Sequence, residues 1–121
     1  MPNNPITLNH DAQQDHLLLD LCAQLHAVSK ALGDLSDMTT DPTYRQSDVD
    51  DLVLKQQVIM ARIEEVKADQ PFKYPSDTQI AALGQACDQL AQIDAATATA
   101  QQIVTAANAV VSALPVSSTK P

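Results

Sequence analysis

Two pairs of side chains in the first third of the chain have the spacing of a metal or acid–base site. His16 and Asp20 stand one helical turn apart, as do Cys22 and His26. On a helix each pair presents two donors on one face, and His10 and Asp11 add further donors upstream. A transition metal needs three or four of them to converge. The two pairs point about 120° apart at 100° per residue, so one site cannot collect all four. The pattern therefore predicts an exposed His–Asp pair, a partly buried Cys and His, and no bound metal.

The other acidic cluster, Asp48-Val49-Asp50-Asp51, invites a Mg²⁺ or Ca²⁺ reading. It lacks the alternating ligand register of a calcium loop. Acids in a first helical turn are accounted for by the helix dipole. Carboxylate-pair catalysis needs a pocket that raises one pKa, and no part of the sequence supplies one. Cys22 and Cys87 fall at apolar positions, where cysteine is usually inert packing. There is no serine nucleophile elbow. The two glycines, Gly33 and Gly84, are too far apart for a phosphate-cradling loop. Catalytic residues, cofactor-binding residues and a cofactor are each expected to be none, and the chain is not expected to be an enzyme.

The elements that hold these residues follow from composition and periodicity. The chain has 121 residues, the size of one domain, and 45% hydrophobic residues, enough for a core without a metal or disulfide staple. Its net charge of −8 argues against direct binding of nucleic acid or an anionic membrane surface. No apolar run is long enough for a spanning helix, residues 1–14 lack a basic leader, and two cysteines 65 residues apart form no disulfide framework. A cytoplasmic, reducing compartment is the expectation.

The fold class expected is all-α: a three-helix antiparallel bundle with a long C-terminal helix, or four helices if that helix breaks. Residues 1–8, with Pro2 and Pro5, read as an arm. Helix 1 spans residues 9–35, capped by Asn9, with Leu18, Leu21, Leu25, Val28, Leu32 and Leu35 spaced alternately 3 and 4 apart. Helix 2 spans residues 47–69 on the stripe Val49, Leu52, Gln56, Ile59, Ile63 and Val66, and Pro71 stops it. Helix 3 spans residues 76–114, opened by a Ser76/Gln79 capping box, with Pro115 beginning a tail of residues 115–121. Unbroken, helix 3 would run about 57 Å and overhang its neighbours by roughly 20 Å. The alternative is a break within residues 94–100, where two successive steps of three interrupt the stripe.

The last part of that helix is unusual. Residues 95–119 carry no charged side chain. A solvated helix back usually carries Lys or Glu, so the wide apolar face of Ile103, Val104, Ala107, Val110, Val111 and Leu114 is a candidate partner interface. The alternative is that Gln101, Gln102, Thr105, Asn108 and Ser112 solvate the back of an ordinary bundle helix. Cys22, Leu19 and His26 widen the apolar character of helix 1 in a similar way. The three aromatics, Tyr44, Phe72 and Tyr74, all fall in connections, where they either close the ends of the core or anchor a partner.

The first functional expectation is a non-catalytic helical interaction protein, a structural or adaptor component of a larger assembly. Its partner is another protein or its own copy, with a homo-oligomer favoured. The second is a small acidic inhibitor or regulator bound to a basic protein, such as nucleic-acid-handling machinery. Residues 1–75 hold twelve acids against six bases, a net charge of −6. Such attraction steers association and is lost in high salt.

Overall fold

α1 (His10–Ser36) is the longest element and the one on which the other three helices pack. The computed structural model describes residues 10–68, 72 and 74–114, with side chains from residue 12 onward. Among the described residues there are four helices and no strand: α1, α2 (Gln46–Lys67), α3 (Asp77–Ala91) and α4 (Ala100–Ala113). The Asn9 cap, the arm before it, the stop at Pro71 and the tail after Leu114 lie outside the described residues.

The inner line of α1 is Leu17, Leu21, Gln24, Val28, Ala31 and Leu35, all buried. This line is rotated from the Leu18-Leu25-Leu32 edge of the periodic stripe, because α1 has neighbours on two sides. On the first, the Gln14 side-chain amide donates to the Val66 carbonyl at 2.6 Å, and the Gln56 amide donates to the Ser29 hydroxyl at 2.7 Å. Those bonds set α1 and α2 antiparallel. On the second, Gln24 donates to the Leu114 carbonyl at 2.6 Å. α2 and α4 run parallel, since Gln101 donates to Asp48 at 2.7 Å and Lys55 to Asn108 at 2.7 Å. α3 packs on α4 and α1 and does not touch α2.

The continuous third helix does not form; the chain folds back between α3 and α4. Local hydrogen bonding explains the turn. The Asp94 carboxylate accepts the Ala96 N–H at 3.0 Å, and the Asp94 carbonyl accepts the N–H groups of Thr97 and Ala98 at 3.0 and 2.9 Å. Short polar side chains of this kind compete with helical bonding. Thr99 then caps α4, accepting the Gln102 N–H at 3.2 Å while Gln102 reaches back to the Thr99 N–H at 2.8 Å. The Thr43 hydroxyl, from the α1–α2 connection, accepts the Gln101 N–H at 3.1 Å. Three polar contacts thus satisfy the start of α4, and folding back buries an apolar face that would otherwise project into water.

Candidate functional site

The apolar face of the C-terminal segment is spent inside the molecule. Ile103, Val104, Ala107, Val110 and Leu114 are buried in the single core, among Leu17, Leu21, Leu83 and Leu90, and Val111 is half-buried. This corrects their assignment as a partner interface. The lack of charge on α4 reflects neighbours within the chain: α1 and α3 cover it widely and α2 touches one edge. The other end of α4 is closed by Gln24, fully buried, whose amide serves the otherwise orphaned Leu114 carbonyl.

The aromatic connections pack in the same way. Tyr44, Phe72 and Tyr74 are half-buried against the core, and the Tyr44 hydroxyl donates to Gln46 at 3.0 Å. Burial, with the nearby charges of Asp20 and Asp77, raises the Tyr74 pKa above its ordinary value. His16, Cys22 and His26 are exposed and Asp20 is half-buried. Burial raises the Asp20 pKa, with His16 pulling weakly the other way. Among the described residues no three His, Cys, Asp or Glu side chains converge as a metal site requires. The side chains of His10 and Asp11 lie outside that description. In the acidic cluster, Asp48 is engaged with Gln101 of α4, and Asp51 pairs with Lys55 at 2.7 Å.

Two surface depressions have little chemistry to offer. An open groove of about 740 Å³ between α3 and α4 is lined by amides, hydroxyls and methyl groups, with Asp94 its one ionisable side chain. A cleft of about 360 Å³ between α1 and α3 brings together His26, Lys30, Cys87 and Asp88. Burial, helped by Asp88, pushes the Cys87 thiol up. That keeps it protonated at neutral pH, opposite to what a nucleophilic cysteine requires.

What the core leaves over lies mainly on α2. Its inward line, Leu52, Ile59 and Val66, is fully buried. Away from that line Leu54 is 61% exposed and Val58, about a quarter turn round from Ile59, is 46% exposed, with exposed Ala61 continuing the row at helical spacing. Met60, 50% exposed beside half-buried Val53, stands on the other flank of the helix, about 160° from Val58 at 100° per residue. Asp50, Asp51 and Glu65 border the row, and Lys55 and Arg62 stand three and four residues from Val58, with Lys55 paired to Asp51. α2 packs chiefly on α1, touches α4 along one edge and misses α3, so this outer row faces no other helix among the described residues. Leu19, 68% exposed on α1, is the one other large exposed hydrophobic among the described residues.

Sequence reasoning passed over Leu54 and Val58, yet a signal was present. Once Val49, Leu52, Ile59, Ile63 and Val66 are assigned to the core, these two remain on the opposite side of an acidic helix, where a solvated face would carry polar residues. No helix among the described residues is long and apolar enough to cross a membrane. Comparison with protein families, characterised sequences and solved structures returns no match.

Proposed function

We propose that this chain is a non-catalytic helical interaction protein, an adaptor or structural component that binds another protein along the outer face of α2. The observation that carries the reading is the row Leu54–Val58–Ala61, exposed on a helix whose opposite side already fills the core. Fully burying a Leu or Val side chain is worth about 1.5–3 kcal/mol, so two such residues supply a useful driving term. Apolar surface rimmed by polar residues is characteristic of interaction sites. Self-assembly through the C-terminal helix is not part of the proposal, because that face lies in the core.

The test is a photo-reactive amino acid at position 58 in the cells that make the protein, with the exposed position 85 on α3 as control. The reading expects a discrete cross-linked species from position 58, weakened by Leu54→Asp and absent from position 85. Equal, diffuse labelling from the two positions would sink it.

A further inference from the structure

We infer that the C-terminal end of α4 is a binding site for one peptide group, and that the chain's own residues 115–118 fill it. The inference is independent of the α2 face. It starts from two buried polar atoms that have no hydrogen-bond partner, Gln24 Oε1 and Arg62 Nη1. No other buried side-chain nitrogen or oxygen among the described residues lacks one. Burying such a group unpaired is costly, so native structures nearly always supply a partner.

Both atoms belong to side chains that meet α4 at its closing turn. Gln24, fully buried on α1, donates to the Leu114 carbonyl at 2.6 Å, with the Val110 and Val111 carbonyls each at 3.4 Å. Its amide nitrogen is thus spent on the end of α4, and Oε1 is left to accept. Arg62 reaches the same end from α2. Lys55 bonds to Asn108 at 2.7 Å, and Arg62 stands seven residues further along the same side of α2. Because α2 and α4 run parallel, Arg62 is level with residue 115, the first after Leu114. α4 has no basic residue in its own last turn, and the Arg62 guanidinium supplies the positive charge that the helix dipole favours there.

The pair asks for one donor and one acceptor. An ionised carboxylate satisfies Arg62 and has no hydrogen for Gln24, while an ammonium group does the reverse. A peptide group carries an N–H and a C=O together. The chain delivers such groups at this point. Pro115 has no N–H, so Val116 offers the first donor, within about 8 Å of chain from Leu114. Residues 115–119 are uncharged, so the acids of the molecule do not repel them. A tethered segment also competes at high effective concentration against any free ligand.

The experiment uses the full chain, labelled with ¹⁵N, and reads amide hydrogen exchange by NMR at neutral pH. At least one amide of residues 116–118 is expected to exchange about tenfold or more slowly than in a free peptide spanning residues 112–121. Arg62→Met and Gln24→Met should each remove that protection. Val116→Pro with Ser117→Pro deletes the donors and should lower the urea midpoint. That loss should shrink by half or more when Arg62→Met is already present. Should Gln24→Met fail to fold, the Arg62→Met variant decides alone.

Free-peptide exchange rates throughout residues 116–118 overturn the inference; if Arg62→Met still lowers the midpoint, bound water is then the partner of the two atoms. Protection that survives both methionine replacements overturns it as well, as does a proline penalty of the same size in both backgrounds. Protection found at residues 6–8 instead, and removed by the same replacements, would give the site to the N-terminal arm.

Discussion

Val104 and Leu54 are both aliphatic residues on amphipathic helices, and the molecule treats them oppositely. Val104 is 5% exposed in the core and Leu54 is 61% exposed on the surface. Placing an unpaired carboxylate in the core costs several kcal/mol, comparable to the whole stability of a domain this size. Val104→Asp is therefore expected to unfold the chain, whereas Leu54→Asp should leave the circular dichroism spectrum and Tm nearly unchanged. A Val104→Asp variant that stays folded and merely changes its solution mass would return α4 to the surface. Asp20 offers a pH test. Burial sets its folded pKa above the ordinary value, so folding favours the protonated carboxyl. That contribution is present below the ordinary value and is lost as pH rises through the folded one. Asp20→Asn should accordingly raise Tm at pH 7 and give no gain at pH 3, readable in thermal melts at the two pH values.

Each short helix of the C-terminal half is set by its own capping. Ser76 and Gln79 open α3, and Thr99 and Gln102 open α4, with the same reciprocal pair of bonds. Thr99→Ala removes the cap and should cost about 1 kcal/mol. The measurement is a urea midpoint shift without a change in slope, compared with Thr105→Ala on the exposed side of α4 as a control for threonine removal. Gly84 lies in α3 with nothing within 4 Å of where a Cβ would sit. Gly84→Ala should therefore stabilise by about 0.5–1 kcal/mol through helix propensity and lower unfolded-state entropy. A destabilised variant would mean that this side of α3 is already covered. Thr99-x-x-Gln102 is the same type of signature as Ser76-x-x-Gln79 and was just as visible in the sequence. What hid it was the apolar stripe, which continues in steps of three and four from Ile80 to Leu114, with no Gly or Pro between Ala91 and Ala100 to mark a stop.

At the scale of the molecule, α1 is the axis, α3 and α4 cover one side of it, and α2 covers another while touching α4 along an edge. This arrangement consumes the uncharged surface of α4 and leaves the outer row of α2 over. The all-helical class was legible because alternating steps of 3 and 4 are a local property of the chain, as are the α3 cap and the absence of loop motifs for nucleotides. The inner line of α1 was legible only approximately. Leu18, Leu25 and Leu32 mark the side toward α2, while the buried line runs through Gln24 and Ala31, chosen because α3 and α4 press there. An apolar helical face says that it will be buried, and it does not say by what. By itself the sequence determined that α4 needs a cover and that the molecule is acidic. Only the tertiary structure decided that α1 and α3 supply most of that cover, and that no described helix covers Leu54 and Val58. The physical reason is that hydrophobic burial is non-directional: it fixes how much surface leaves water, while helix lengths, turns and neighbours choose which surface it is.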